Sequence, residues 1–153
     1  MPESDPISIR LADAHDAEAI AALVATLAAD LRERSPLTPA YVADYLRSPG
    51  THVVLAVRGE TVLGMVSFTY RPNLYHAADS CLVDELVVEH GARNRGVGAL
   101  LLEEVIRRAQ QHACAEVSLS VMGSNPNALR FYQRHGFEND ALFLERHLPA
   151  KPG

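Results

Sequence analysis

The chain has 153 residues, enough for one domain whose hydrophobic core needs neither disulfides nor metal. It is 48% apolar and 22% charged with a formal net charge of −5, which suits a soluble globular protein and argues against a nucleic-acid partner. No stretch approaches the ~20 apolar residues of a membrane-spanning helix and residues 1–10 lack the apolar core of a signal peptide, so a cytoplasmic protein with no membrane partner is expected.

No repeat, low-complexity run or linker divides the chain, and a single domain over 1–153 with an ordered core of about 5–148 is expected. A short strand over Ile7–Leu11 leads through Asp13 and His15 into a helix over Asp16–Arg34, where Ile20, Leu23, Val24, Leu27 and Leu31 recur at helical spacing. Ser35-Pro36 stops it. Thr38-Pro39 reads as cap and first helical residue of a second helix through Tyr41, Val42, Tyr45 and Leu46, and Pro49-Gly50 ends it.

Two β-branched runs, Thr51–Val57 and Thr61–Tyr70, flank Arg58-Gly59-Glu60 as a hairpin, and Asp79–Val88 is a third strand. Gly96–Ala113 is a helix with Val97, Leu101, Val105, Ile106 and Ala109 inward and Glu103–Arg107 and Glu104–Arg108 paired outside. A strand over Val117–Val121, a helix over Asn127–His135 and a final strand over Ala141–His147 complete the pattern of an α/β or α+β domain with one mixed sheet. Cys81 and Cys114 lie in or beside apolar runs and read as small buried hydrophobes. Neither the cysteines nor the histidines show ligand spacing, so no metal is expected.

The chemistry concentrates where the Leu86-Val87-Val88 strand end runs into Glu89-His90-Gly91-Ala92-Arg93-Asn94-Arg95-Gly96-Val97-Gly98-Ala99 and a helix begins at once. A helix N-terminus offers unpaired N–H groups and partial positive charge to a phosphate, glycines let the backbone approach an anion, and Arg93 and Arg95 add charge. The same turn also serves as a tight connection. A Walker loop needs Gly-Lys-Ser/Thr where Gly98-Ala99-Leu100 stands, and a dinucleotide fingerprint needs a third glycine near Leu101.

Arg93-x-x-Gly96-x-Gly98, after an apolar strand and opening a helix, resembles the acetyl-coenzyme A signature of the GNAT (GCN5-related N-acetyltransferase) superfamily. Asn125-x-x-Ala128-x-x-x-Tyr132-x-x-x-Gly136-Phe137 resembles the C-terminal motif of the same superfamily at the expected distance downstream. The resemblance implies a mostly antiparallel mixed sheet with helices on both faces, splayed between strands 4 and 5. It implies acetyl-CoA as cosubstrate, with its pyrophosphate on the main chain of Asn94, Arg95, Gly96, Val97, Gly98 and Ala99, flanked by Arg93 and Arg95. Backbone groups of Leu86, Val87 and Val88 would pair with the pantetheine arm as an added strand, Val88 N–H facing the developing oxyanion.

By the same resemblance Tyr132 stands near the coenzyme sulfur to protonate the departing thiolate, Asn125 caps its helix and touches the coenzyme arm, and Ala128 lies beside it. Tyr132 otherwise packs with Phe131 and Phe137, and Asn127 is a second candidate for the cap. An alkylammonium must lose its proton across about three pH units, or about 4 kcal/mol, to react near neutrality. Asp84 and Glu85, adjacent and hence on opposite faces of an apolar strand, are the candidates to take that proton through a water, or else form a salt bridge to a neighbouring strand. The acceptor would be a small-molecule or protein amine. Its pocket is expected from the first two helices and the Tyr70–Asp79 loop, including Tyr75 and His76, with Asp30, Glu33 and Asp44 as further groups that attract a cation. A homodimer is compatible with the resemblance, as is a non-catalytic acetyl-CoA-binding regulatory module.

Overall fold

The computed structural model describes residues 5–150, which fall into two compact units, one reaching Leu119 and one beginning at Ser120. The first holds β1 (Ser8–Leu11), α1 (Ala17–Asp30), α2 (Pro39–Arg47), β2 (Thr51–Arg58), β3 (Thr61–Asn73), β4 (Ala78–Val88), α3 (Val97–Gln111) and β5 (Val117–Ser118). The strands form one sheet in the order β1-β2-β3-β4-β5, antiparallel throughout except for the parallel β4–β5 pair that α3 connects.

Val53–Val57 are all buried, because helices cover both faces of the sheet over the middle of β2. Val54 and Ala56 pack with Val66, Phe68, Cys81 and Val83 against Val97, Leu101, Val105 and Ala109 of α3. Val53, Leu55 and Val57 pack with Met65 and Val87 against Ile20 and Leu23 of α1 and Val42 of α2. The Thr38 hydroxyl caps α2 by accepting from Tyr41 N–H at 3.2 Å, with Pro39 at the first helical position. On the outer face of α3, Glu104 holds both Arg107 and Arg108.

Gly64 shows why β3 and β4 approach so closely: a Cβ there would lie 2.7 Å from the Val87 carbonyl oxygen and 3.2 Å from a Leu101 methyl. At the other edge, the buried Asp16 carboxylate takes both guanidinium nitrogens of Arg10 at 2.8 Å and the Asp13 N–H at 2.9 Å, fastening β1 to the start of α1.

In β4 the register passes from Phe68↔Val83 to Ser67↔Glu85, so Asp84 is the extra residue of a β-bulge. Val83 and Leu86 both face α3, which turns Asp84 and Glu85 together toward the α1/α2 side. This corrects the expectation of opposite faces: strict alternation fails where one residue is inserted. β5 pairs with β4 only at Cys81–Leu82, ending just before the bulge bends the strand, so the strand expected over Val117–Val121 is cut to two residues. From Val83 to Val88 this edge of β4 has no strand partner among the described residues, which is the splay the resemblance implied.

The second unit contains α4 (Pro126–Arg134). Asn125 Oδ1 accepts from Ala128 N–H at 3.1 Å, so Asn125 is the cap and Asn127 instead accepts from Arg130. At the other end Phe137 N–H reaches Tyr132 O and Gly136 N–H reaches Gln133 O, both at 3.1 Å, around Gly136 at φ +88°. This is a Schellman closure, completed by the edge contact of the Tyr132 and Phe137 rings at 5.9 Å. The strand expected over Ala141–His147 does not form. Leu142, Phe143 and Leu144 are three consecutive apolar residues with no period of two and are all exposed, and no described strand offers them a ladder.

Candidate active site

The turn before α3 is built from backbone conformation. Asn94 (φ +63°) and Gly96 (φ +81°) are both left-handed, and Gly96 caps α3 with no side-chain hydrogen bond. The first intrahelical bond runs from Leu100 N–H to Gly96 O at 3.1 Å, so the amides of Val97, Gly98 and Ala99 open the helix ahead of it. Alternating handedness concentrates N–H groups into a concavity suited to an anion. No acidic side chain stands in the first turn to compete for them. Val97 sends its side chain into the core, whereas Asn94 and Arg95 are exposed.

Arg93 is tied into the fold on this side of the turn. Its Nε donates to Val88 O at 3.0 Å and its Nη2 to Asp30 at 2.7 Å, and His90 lies 3.3 Å from the same carboxylate. Asp30, expected as an attractor of cationic substrate, therefore ties the end of α1 to this turn. The guanidinium bond holds its carboxyl below the usual range.

Glu89 N–H bonds Leu63 O at 2.8 Å, toward β3. Alternation along a strand then turns the main-chain groups of Val88 and Leu86 to the open edge and those of Val87 to Met65. Two of the three residues expected to meet an extended ligand thus turn their backbone groups to that edge. Val87 contributes only its buried side chain to the α1/α2 core.

On the α1/α2 side lies a cavity of about 250 Å³. Its walls are Ile20 and Val24 of α1, Leu37 of the connecting loop, Val42 of α2, and Val53 and Met65 of the sheet. Its polar groups are Ser35, Tyr41, Tyr45, Ser67 and Glu85. Ser67 accepts from Glu85 N–H at 3.0 Å and donates to the Glu85 carboxylate. Burial pushes the Glu85 carboxyl above its ordinary range, the Ser67 bond pulls back, and the charge of Asp84 pushes it further up. Asp84 is exposed at the bulge and raised by desolvation, against the field of Arg71.

The Tyr45 hydroxyl is buried without a hydrogen-bond partner. Burial and the charges of Glu85 and Asp84 push its proton affinity far up. Ser67 lies near enough to temper that shift yet makes no bond of proper geometry to it. Tyr75 and His76 do not line this cavity: Tyr75 is exposed on the β3–β4 turn, and His76 sits 3.5 Å from Glu116. Sequence reading passed over Ser67 and Tyr45 as site residues. The signals were a lone hydroxyl within the apolar run of β3 and a tyrosine on the inward face of α2.

In the second unit, Tyr132 is half-buried and its phenol is pushed up by burial, within the ring cluster of Phe131 and Phe137. The Ala128 amide is committed to the Asn125 cap. Cys81 is wholly buried, its thiol pushed up to about 12, and so is unsuited to act as a nucleophile. Among the described residues no group of three or more His, Cys, Asp or Glu side chains gathers as a metal site, and no helix is long and apolar enough to cross a membrane.

Residues 18–137 match the acetyltransferase (GNAT) family profile. The aminoalkylphosphonate N-acetyltransferase of Salmonella typhimurium is 29% identical over 130 residues, covering 85% of this chain and 84% of that protein. A solved structure described as a transcriptional regulator from Bacillus halodurans superposes with a TM-score of 0.84 at 28% identity, over 94% of this chain and all of that one. An aminoglycoside acetyltransferase from an uncultured soil sample, solved with sisomicin, superposes with a TM-score of 0.81 at 15% identity, over 94% of this chain and 97% of that one, which speaks for the fold alone. With the family profile spanning the bulged β4, the α3 turn and α4 alike, the chain belongs to the acetyltransferase (GNAT) family.

Proposed function

We propose that this protein transfers the acetyl group of acetyl-CoA to a primary amine by direct attack within a ternary complex. The observation that carries the amine is Glu85, a carboxylate raised by burial at the wall of a cavity otherwise mostly apolar. The left-handed turn at Asn94 and Gly96, the leading amides of α3 and the open edge at Leu86 and Val88 fit an extended ligand that ends in a diphosphate.

The coenzyme supplies an activated acetyl thioester. Glu85, with Asp84 beside it, takes the proton that an ammonium must lose, directly or through a water, and its raised affinity matches that work better than an ordinary carboxylate. As the N–C bond forms and the C–S bond breaks, the outward-turned Val88 N–H donates to the oxyanion. Tyr132 gives its proton to the leaving sulfur, as the family resemblance implies. Arg95, Gly98 and Ala99 join Asn94, Gly96 and Val97 around the pyrophosphate, with Asn125 and Ala128 beside the coenzyme arm and Arg93 bracing the turn through Asp30. Residues 1–153 act as a single acetyltransferase domain, alone or as a homodimer. An aminoalkylphosphonate, the acceptor named for the Salmonella relative, belongs in any acceptor panel.

Release of free thiol from acetyl-CoA with an amine panel tests the reading. Tyr132→Phe should lower kcat by at least tenfold with little change in coenzyme binding, and an unchanged kcat removes Tyr132 from the reaction. A non-catalytic coenzyme-binding module is the second reading, favoured by the regulator description of the Bacillus halodurans protein. It predicts coenzyme binding with no thiol release from any amine.

A further inference from the structure

We infer that the acceptor is a small apolar monoamine: a primary amine on a short arylalkyl or branched-alkyl body that bears no acid group and no second ammonium. The inference rests on the proposed function and narrows it. Its basis is the charge map and size of the cavity between α1, α2 and the sheet.

At about 250 Å³ the cavity lies at the small end of the ~300–1,000 Å³ typical of drug-sized ligands, which favours a compact body for whatever is held within it. Among the described residues Glu85 is the one carboxylate on its wall, and no Lys, Arg or His lines it. An ammonium there donates to the Glu85 carboxylate and to the Tyr45 hydroxyl oxygen, which is buried and has no partner. The six aliphatic side chains of the wall receive the rest of the molecule.

A carboxylate or phosphonate held among the aliphatic walls would lose its water with no cation among the described lining residues to meet it. Arg71 acts on exposed Asp84 without lining the cavity, and Arg93 is bound to Asp30. A second ammonium held among the aliphatic walls would likewise be a costly burial of an unpaired charge. Ser35 and Tyr41 are neutral and tolerate a hydroxyl. Amino acids, aminophosphonates, polyamines and aminoglycosides are therefore disfavoured by the same wall.

The test compares matched acceptors at saturating acetyl-CoA: phenethylamine against phenylalanine, isoamylamine against leucine, with 2-aminoethylphosphonate, spermidine and an N-acetyl-lysine amide as further arms. The expected kcat/KM is at least tenfold higher for each simple amine than for its amino acid, and highest of all for one of the simple amines. If an amino acid, the phosphonate, the polyamine or the lysine derivative is preferred, acetyl transfer stands and the inference is overturned. Calorimetry with phenethylamine and phenylalanine gives a readout free of turnover: selective binding of the amine, weakened at least fivefold in Tyr45→Phe and in Glu85→Gln, upholds the inference even if no thiol is released. Equal binding of the two, or amine binding indifferent to both variants, overturns it. Val24→Arg, which adds a cation to the wall, should shift preference toward phenylalanine at least fivefold, and an unmoved preference counts against the cavity as the acceptor site.

Discussion

Ser67 and Glu85 are joined twice across the β3–β4 ladder: the Ser67 hydroxyl accepts from the Glu85 amide at 3.0 Å and donates to the Glu85 carboxylate. The bond to the carboxylate restrains a proton affinity that burial and Asp84 drive upward. Ser67→Ala should therefore move the acidic limb of kcat/KM to higher pH, and Glu85→Gln should abolish that limb with most of the activity. The sign also holds for stability. A carboxyl raised in the folded state makes stability fall as pH rises from its unfolded value through its folded one. Denaturant titrations at a series of pH values should show that fall reduced in Glu85→Gln.

Gly64→Ala places a methyl 2.7 Å from the Val87 carbonyl, and backbone cannot yield as a side-chain tip can. A loss of about 1–3 kcal/mol is expected, measured by urea unfolding. Because Val87 precedes the open-edge residue Val88, coenzyme affinity should fall with it.

Asp16→Ala removes both Arg10 contacts and the bond to Asp13 N–H. The expected cost is about 1–3 kcal/mol, moderated because Arg10 keeps 44% of its side-chain surface in water. The Arg10 bond, first among the causes, holds the Asp16 carboxyl below its ordinary value. Its contribution is thus full above the unfolded carboxylate pKa and disappears as pH falls through the lowered folded one. The difference between wild type and variant should shrink on acidification over that window.

Gly96→Ala meets no atom within 4 Å, so its cost is conformational alone: φ is +81° and alanine pays about 1–2 kcal/mol there. Acetyl-CoA KM should rise while far-ultraviolet circular dichroism is unchanged. A KM equal to wild type would separate the turn from coenzyme binding.

Much of the fold was legible because its signals are local. Thr38-Pro39 announced α2, the β-branched runs announced β2 to β4, and the spacing of Val97, Leu101, Val105 and Ala109 announced α3. The Asn125…Gly136-Phe137 motif proved to be a cap, a helix and a Schellman closure, each written in residue types. The bulge at Asp84 was not legible, since it depends on how β3 pairs with β4 and not on either strand alone. The same reason hides the Ser67–Glu85 contact, the unpartnered Tyr45 hydroxyl and the Arg93–Asp30 pair, which join residues far apart in sequence. Ala141–His147 failed for another reason: a run of apolar residues without a period of two does not by itself make a strand.

The account turns on the main-chain amides that lead into α3. The direct measurement is the amide nitrogen and proton shifts of Asn94 to Ala99, recorded by nuclear magnetic resonance as acetyl-CoA is titrated to saturation. These six amides should shift more than those of α4's solvent face and return to their free values when the coenzyme is removed. Saturating acetyl-CoA that leaves all six unmoved would contradict the account.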